Sequence, residues 1–198
     1  MRPTDPPTSS SEPLSDPSIL CTEIVGDDVA VVRVVGRGTF LNSVALAQFA
    51  DHLQSREGDT HKFVVDLTDC PTMDSTFMGT LAKITIRQTQ RNNGKLIVCN
   101  ANEHNRRLLK TLGLSHVMDL RQKAPDEIKG EELKLHAADT HPVTRLERIL
   151  HMIEAHEKLV DLETENEVRF SNVLKYLRQS LEEEKQAQKE SPDGSEPK

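Results

Sequence analysis

Two hydroxyl side chains and a carboxylate stand together where the chain passes from an apolar run into a helical pattern. Residues 63–81 read FVVDLTDCPTMDSTFMGTL, which predicts a buried strand, a short turn and a helix that begins near Ser75. The first N–H groups of a helix lack partners within it, and the helix dipole is positive at that end. A phosphate on Ser75 would therefore be tolerated, and Thr76 is the second candidate hydroxyl.

Each of these side chains also has a simpler interpretation. Ser is a preferred N-cap residue, so Ser75 could serve only to cap the helix. Asp74 could be a catalytic carboxylate, but a carboxylate at a helix start is commonly a cap or a partner of the helix dipole. The sequence contains no GxSxG or Walker motif. We therefore expect a protein that is not an enzyme, with no catalytic residues and no cofactor.

The residue types that ligate metals are dispersed along the chain. The cysteines Cys21, Cys70 and Cys99 match no zinc-binding spacing, and we expect them to be reduced thiols. His151 and His156 are five residues apart, which fits one helix face poorly, so we interpret them as solvated histidines. The sequence therefore predicts no metal site.

The elements that position Ser75 alternate between strand and helix. Strands are predicted at 21–25, 28–35, 63–67, 96–99 and 117–120, and helices at 42–55, from Ser75 to a stop at 92–94, and at 102–112. Such alternation implies βαβ crossovers, which build a mainly parallel sheet with helices packed on it. The fold class is α/β, with a domain at 20–122 that is followed by a long C-terminal helix.

Composition restricts the flanking segments and the class of partner. Residues 1–19 are rich in Pro, Ser, Thr and acidic side chains, and we expect a disordered leader there. Of the 32 Asp and Glu residues, 18 lie in 126–198, which argues against direct binding to nucleic acid. Because the chain lacks any run of about 18 apolar residues, we expect no membrane contact and a cytoplasmic protein.

Beyond a predicted linker at 123–141, residues 142–188 follow a helical pattern, and a disordered tail is predicted at 189–198. Apolar residues at spacings of three and four form one narrow seam, which charged residues interrupt at 161–169. A helix of this length must pair with something. Self-association into a coiled-coil homodimer is the first expectation, folding back on its own domain the second, and binding to a partner the third.

The stretch around Ser75 resembles STAS domains, in particular the anti-sigma factor antagonists. Those proteins have a strand that ends in Asp-Leu, a short turn and then Met-Asp-Ser-Ser-Gly-Leu-Gly. This chain has DL at 66–67 and MDSTFMG at 73–79, and the likeness continues at 94–99 and 107–114. The resemblance implies a STAS-like mixed sheet.

The same resemblance implies a function. In the family, a protein that is both anti-sigma factor and serine kinase phosphorylates the first Ser of the motif, which corresponds to Ser75. Unmodified Ser75 would lie in the surface that docks on this partner, and a phosphate would add about −1.5 to −2 charges and disfavour docking. The residues expected to contact the partner are Met73, Asp74, Ser75, Thr76, Phe77 and Met78.

Two departures from the family pattern lie beside Ser75. Phe77 replaces the first Gly of the motif, which would enlarge the surface next to the phosphorylation site. Residues 36–39 (GRGT) stand where the family usually has an acidic residue, so a carboxylate is missing. The alternative function is a STAS-domain scaffold or oligomerisation protein in which Ser75 is not phosphorylated.

Overall fold

The computed structural model describes residues 18–24, 28–55, 61–125, 128 and 136–190, and within them one mixed sheet of six strands is flanked by helices. The strands are β1 (Ser18–Ile24), β2 (Val29–Val35), β3 (Lys62–Asp66), β4 (Ile97–Cys99), β5 (Asp119–Arg121) and β6 (His136–Ala137). The helices are α1 (Ser43–Gln54), α2 (Ser75–Gln90), α3 (Glu103–Thr111), α4 (Leu114–Val117), α5 (Arg145–Val160) and α6 (Thr164–Glu190).

The strand order is β5-β4-β3-β2-β1-β6. Strands β2 to β5 run parallel, whereas β1 pairs antiparallel with both β2 and β6. Helix α1, helix α2 and the pair α3–α4 form the three crossovers that these parallel neighbours require. The predicted α/β class with a mainly parallel sheet is therefore confirmed, and α6 is a long C-terminal helix.

The two faces of the sheet are covered by different material. Ala30, Val32 and Val34 of β2 lie in the same apolar core as the helices, whereas Val31 packs in a smaller cluster with Ile128. Successive residues of a strand point to opposite faces, so a strand buried on both faces shows a nearly continuous apolar run. This explains why β2 has no polar alternation in sequence.

Several element boundaries differ from the sequence prediction. β1 begins at Ser18, inside the predicted leader, and β6 lies inside the predicted linker and extends the sheet beyond β1. The strand predicted at 117–120 is instead the end of α4 followed by β5, and Gly113, at φ 78°, separates α3 from α4. A helix of four residues shows no periodicity in sequence. Residues 1–17 and 191–198 and the turn predicted at 26–27 lie outside the described residues.

The helical pattern predicted at 142–188 consists of two helices, not one. α5 and α6 are joined at 161–163, where the charged interruption of the seam begins. The two helices run antiparallel, and ion pairs join Arg145 to Glu184 and Glu157 to Arg178. Four residues of the apolar seam, Ile153, Phe170, Leu174 and Leu177, are buried in the main core together with neighbouring Ile149 and Leu159, whereas Leu150 of the seam is 45% exposed. The segment therefore folds back on its own domain, which was the second expectation, and a homodimer stays a prediction.

Candidate functional site

The turn that precedes α2 is held against the loop that follows β2. The N–H of Gly38 donates to the carbonyl of Thr72 at 3.0 Å, and the N–H of Asp74 donates to the carbonyl of Gly38 at 2.9 Å. A Cβ placed on Gly38 would lie 2.9 Å from the ring of Phe77, so a side chain there would force the two segments apart. The start of α2 is thus fixed by backbone contacts.

Asp74 is the N-cap of α2. One carboxylate oxygen accepts the N–H of Phe77 at 2.8 Å, and the other accepts the N–H of Phe40, before α1, at 2.7 Å. The interpretation of Asp74 as a cap is therefore confirmed, and the interpretation of Ser75 as the N-cap is wrong. Asp74 ties the starts of two helices together, and this leaves the Ser75 hydroxyl available for another contact.

That contact is with a histidine of α5. The Oγ of half-buried Ser75 lies 2.9 Å from Nε2 of His156, and Nδ1 of the same ring lies 2.7 Å from the carbonyl oxygen of Met152. A carbonyl oxygen only accepts hydrogen bonds, so in the neutral ring Nδ1 carries the proton and Nε2 accepts from the serine hydroxyl. His156 is 3% exposed, and its ring meets Phe170 of α6 edge-on at 5.1 Å. The candidate phosphorylation site is therefore partly covered by the α5–α6 hairpin, residues 145–190.

A second histidine of α5 is bound in the same interface. Nε2 of His151 lies 2.9 Å from Oγ of Ser43 and 3.3 Å from Oγ1 of Thr80. Both hydroxyls donate to backbone carbonyls, of Phe40 and Thr76, so Nε2 of His151 donates to them.

The charged groups near His151 act on its pKa in both directions. Burial lowers the pKa of His151, and Lys83 lowers it further, while Glu154, Asp51 and Asp74 oppose the shift. The shift favours the neutral imidazole in the docked helix.

The prediction that His151 and His156 are solvated was therefore wrong. The sequence does contain a signal for His156, because it stands three residues after Ile153 and four before Val160 and so continues the apolar seam. For His151 we find no comparable signal, since its hydroxyl partners lie on α1 and α2.

α5 approaches α2 closely at one point. A Cβ placed on Gly79 would lie 2.2 Å from the backbone oxygen of Ala155, so only glycine allows this approach. One turn further along α2, the ammonium group of Lys83 lies 2.9 Å from Glu154 and 3.5 Å from Asp51. Ser75, Gly79 and Lys83 are spaced by four residues, so they form one line along the helix.

The six residues predicted to contact a partner do not form one exposed surface. Asp74 and Ser75 are half-buried, whereas the other four are at most 4% exposed: Met73, Thr76, Phe77 and Met78. Phe77 was expected to enlarge the surface beside Ser75, but it is 0% exposed and packs beneath the Gly38 loop. The burial of Thr76 leaves Ser75 as the more accessible of the two candidate hydroxyls.

The other reactive residue types give no second site among the described residues. Cys21, Cys70 and Cys99 are buried and form no disulfide, and burial together with the nearby carboxylate of Asp66 raises the pKa of Cys99 to about 12. No three His, Cys, Asp or Glu side chains within the described part of the chain come together as a metal site would require. A cavity of about 500 Å³ between α1 and α5 is lined by Val44, Leu150 and their neighbours and does not include Ser75.

Comparison with known proteins gives a family match and several fold likenesses. The family model for the STAS domain matches residues 23–126, more than half of the 198 residues, and α5 and α6 lie beyond this range. No curated protein sequence matches the chain. No helix among the described residues has the length and apolar character of a membrane span.

Two of the similar solved structures are anti-sigma factor antagonists by description. One, provisionally so described, comes from Thermotoga maritima: it is 16% identical, with a TM-score of 0.48, and the match covers 55% of this chain and 90% of that one. The other is the anti-sigma factor antagonist SpoIIAA in its unphosphorylated form, 15% identical, with a TM-score of 0.44 and coverage of 56% and 92%.

Proposed function

Because the chain belongs to the STAS domain family, we propose that it is a regulator like the anti-sigma factor antagonists. It binds an anti-sigma factor or serine kinase-like protein in the cytoplasm, and phosphorylation of Ser75 switches the binding. The observation that carries this proposal is the position of Ser75. It is the first residue of α2, and its hydroxyl is directed at α5 and not into the sheet core.

The chemistry of the position supports a switch. A phosphate on Ser75 would add about −1.5 to −2 charges next to the carboxylate of Asp74, where any closely apposed surface would have to accommodate them. The start of α2 tolerates the phosphate because its dipole and its first N–H groups favour an anion. Modification would therefore change what the surface binds without unfolding the helix that carries it.

The proposal assigns binding and not catalysis to the Ser75–His156 pair. A serine next to an imidazole resembles two members of a hydrolase triad, in which a third group orients the imidazole. Here that third group is the carbonyl of Met152, and α5 covers the serine hydroxyl itself. The pair is better explained as a contact that holds α5 on α2.

A specific observation favours a second candidate, the scaffold function. Val168, Val173 and Tyr176 of α6 are 81%, 39% and 69% exposed, which leaves apolar surface uncovered on the hairpin. In a scaffold, this surface would join two copies of the chain and Ser75 would serve only to bind His156. Light scattering on the wild type and on Tyr176→Lys tests the scaffold, which requires a dimer that the substitution weakens.

The experiment that tests the proposed switch is phosphorylation-site mapping on protein isolated from its native cells, together with partner capture. Ser75→Ala and Ser75→Asp are compared, with Ser171→Ala and Ser171→Asp as exposed controls on α6. We expect phosphate on Ser75 and a kinase-like partner that Ser75→Ala retains and Ser75→Asp loses. Unmodified Ser75, with identical partners for both variants, would reject the switch in favour of the scaffold.

A further inference from the structure

The surface that a partner of Ser75 would have to reach is already occupied by this chain. We propose that the α5–α6 hairpin is a releasable cover, which competes for the surface around Ser75 with a partner and is displaced by a phosphate on Ser75. This inference rests on the proposed function for the biological use of the phosphate. It adds a regulatory element outside the range 23–126 that the family model matches.

The docked cover holds the ring of His156 against the Ser75 oxygen to which a phosphate would be attached. Phosphorylation attaches a phosphorus atom and three oxygens to Oγ of Ser75. Nε2 of His156 lies only 2.9 Å from this Oγ. The imidazole ring is held on its other side by the carbonyl of Met152 and by Phe170. Because His156 is 3% exposed, its ring cannot turn away into solvent without movement of α5.

The charges of the interface also oppose a buried phosphate. In its neutral form, His156 presents the lone pair of Nε2 to Ser75, and this lone pair would face phosphate oxygens. Lys83 lies two turns along α2 and is already paired with Glu154 and Asp51. A buried anion without a paired cation is strongly disfavoured, so we expect the hairpin to leave.

The polar contacts between α5 and α2 are of a kind that can be broken and remade. They comprise hydroxyl–imidazole hydrogen bonds and the ion pair of Lys83, beside the backbone approach at Gly79. The apolar side chains Ile149, Ile153 and Leu159 of α5 also lie in the main core, so release exposes apolar surface unless a partner covers it. Water or a partner can replace the hydrogen bonds and the ion pair at small cost, because the net contribution of each is modest.

The hairpin also has internal contacts that survive release. Ion pairs join Arg145 to Glu184 and Glu157 to Arg178, at 3.2 Å and 2.8 Å, and the two helices share apolar packing. α5 and α6 can therefore move as a unit that keeps part of its apolar surface covered.

A docked cover has a consequence for partner binding. A partner that needs the surface around Ser75 binds only the open chain. Its apparent affinity is therefore its intrinsic affinity multiplied by the fraction of chains that are open. The same holds for a kinase, which reaches the hydroxyl only when α5 has moved. Phosphorylation then traps the open form, because the phosphate and α5 exclude each other.

The test uses the full chain with phosphoserine installed at position 75 during translation, and hydrogen–deuterium exchange read by mass spectrometry. We expect exchange in 145–160 to accelerate by about tenfold or more, while β3 and β4 keep their protection. The same modification at exposed Ser171 is the matched control and should leave exchange unchanged.

A second variant opens the cover without a phosphate. Ala155→Leu adds bulk at the crossing with Gly79 and leaves α2 itself unaltered, so it should accelerate exchange in the same residues. Ala187→Leu, at an exposed position of α6, is its control.

Unchanged or stronger protection of 145–160 in the chain with phosphoserine at position 75 would overturn the inference. Stronger protection would mean that His156 binds the phosphate and locks the hairpin. Because the phosphate is installed without a kinase, this result is independent of whether cells modify Ser75. Absence of the modification in cells would reject the proposed function and leave the cover intact.

Discussion

Two faces of the same helix, α2, are built from different kinds of side chain. The face toward the sheet consists of large apolar residues such as Phe77, Leu81 and Ile84, which are at most 2% exposed. The face toward α5 is a line of small and polar residues: Ser75, Gly79 and Lys83. Apolar burial dominates the first face, and directional contacts define the second, so one helix can keep its fold while it exchanges what covers it.

The largest effect should follow from a change on the sheet face. Phe77→Ala removes a fully buried ring beneath the Gly38 loop, so the free energy of unfolding should fall by about 3–5 kcal/mol. Urea denaturation measures this loss. Phe40→Ala, at a ring that is 38% exposed, is the matched control and should cost far less. Equal losses for the two variants would contradict the division of α2 into two faces.

A smaller loss, confined to the hairpin, is expected on the other face. Gly79→Ala improves the intrinsic helix propensity of α2, by about 0.5–1 kcal/mol, but its Cβ would clash with the backbone of Ala155. We expect net destabilisation of docking by about 1–3 kcal/mol, as overpacking typically gives. Limited proteolysis should then cleave within 145–190 faster while the sheet domain stays intact. A variant more resistant to proteolysis than the wild type would show that α5 is not seated on Gly79.

The docking of α5 should also depend on pH. Burial lowers the pKa of His151 in the docked state, so the undocked state takes up a proton first as the pH falls. Docking is therefore strongest above the ordinary histidine pKa of about 6.5 and weakens below it.

Exchange in 145–160, compared at about pH 7.5 and about pH 5.5 after correction for the intrinsic rate, measures this effect. His151→Gln should reduce the difference between the two conditions, since it removes the titrating group and retains a donor to Ser43 and Thr80. A pH dependence that is identical in the variant would assign the effect to other groups.

The smallest effect is expected at Lys83, the last of the three residues in the line along α2 that faces α5. Glu154→Gln leaves Lys83 paired with Asp51 alone, and because Glu154 is 41% exposed the loss should be at most about 1 kcal/mol. The loss should shrink further at high salt. Glu103→Gln, in an exposed pair with Arg107, is the control. A loss as large as that of Gly79→Ala would mean that charge and not close approach holds α5.

The sheet domain could be predicted from sequence because its signals are local. Apolar runs and a capping carboxylate place β2, β3 and α2, and Asp74 and Ser75 lie where these patterns put the helix start. The inward position of Phe77 was also visible, since Leu81 and Ile84 follow at spacings of four and three. The comparison with the family motif, in which a Gly stands at this position, instead predicted an exposed Phe77.

The cover could not be predicted in the same way. A seam of apolar residues indicates that a helix packs against another element, but it does not identify that element. The pairing of α5 with α2 depends on contacts between residues that are distant in sequence. His156 stands in that seam, yet its partner Ser75 is 81 residues away. The turn at 161–163 was marked only by charge, which is equally compatible with a solvated stretch of one long helix.

The most direct test of the central claim is the fraction of chains that carry phosphate on Ser75 in the native cells, measured by quantitative phosphopeptide mapping for the wild type and for Ala155→Leu. We predict phosphate on Ser75 in the wild type and a higher fraction in Ala155→Leu, because the open hairpin exposes the hydroxyl. No phosphate on Ser75 in either chain would contradict the account.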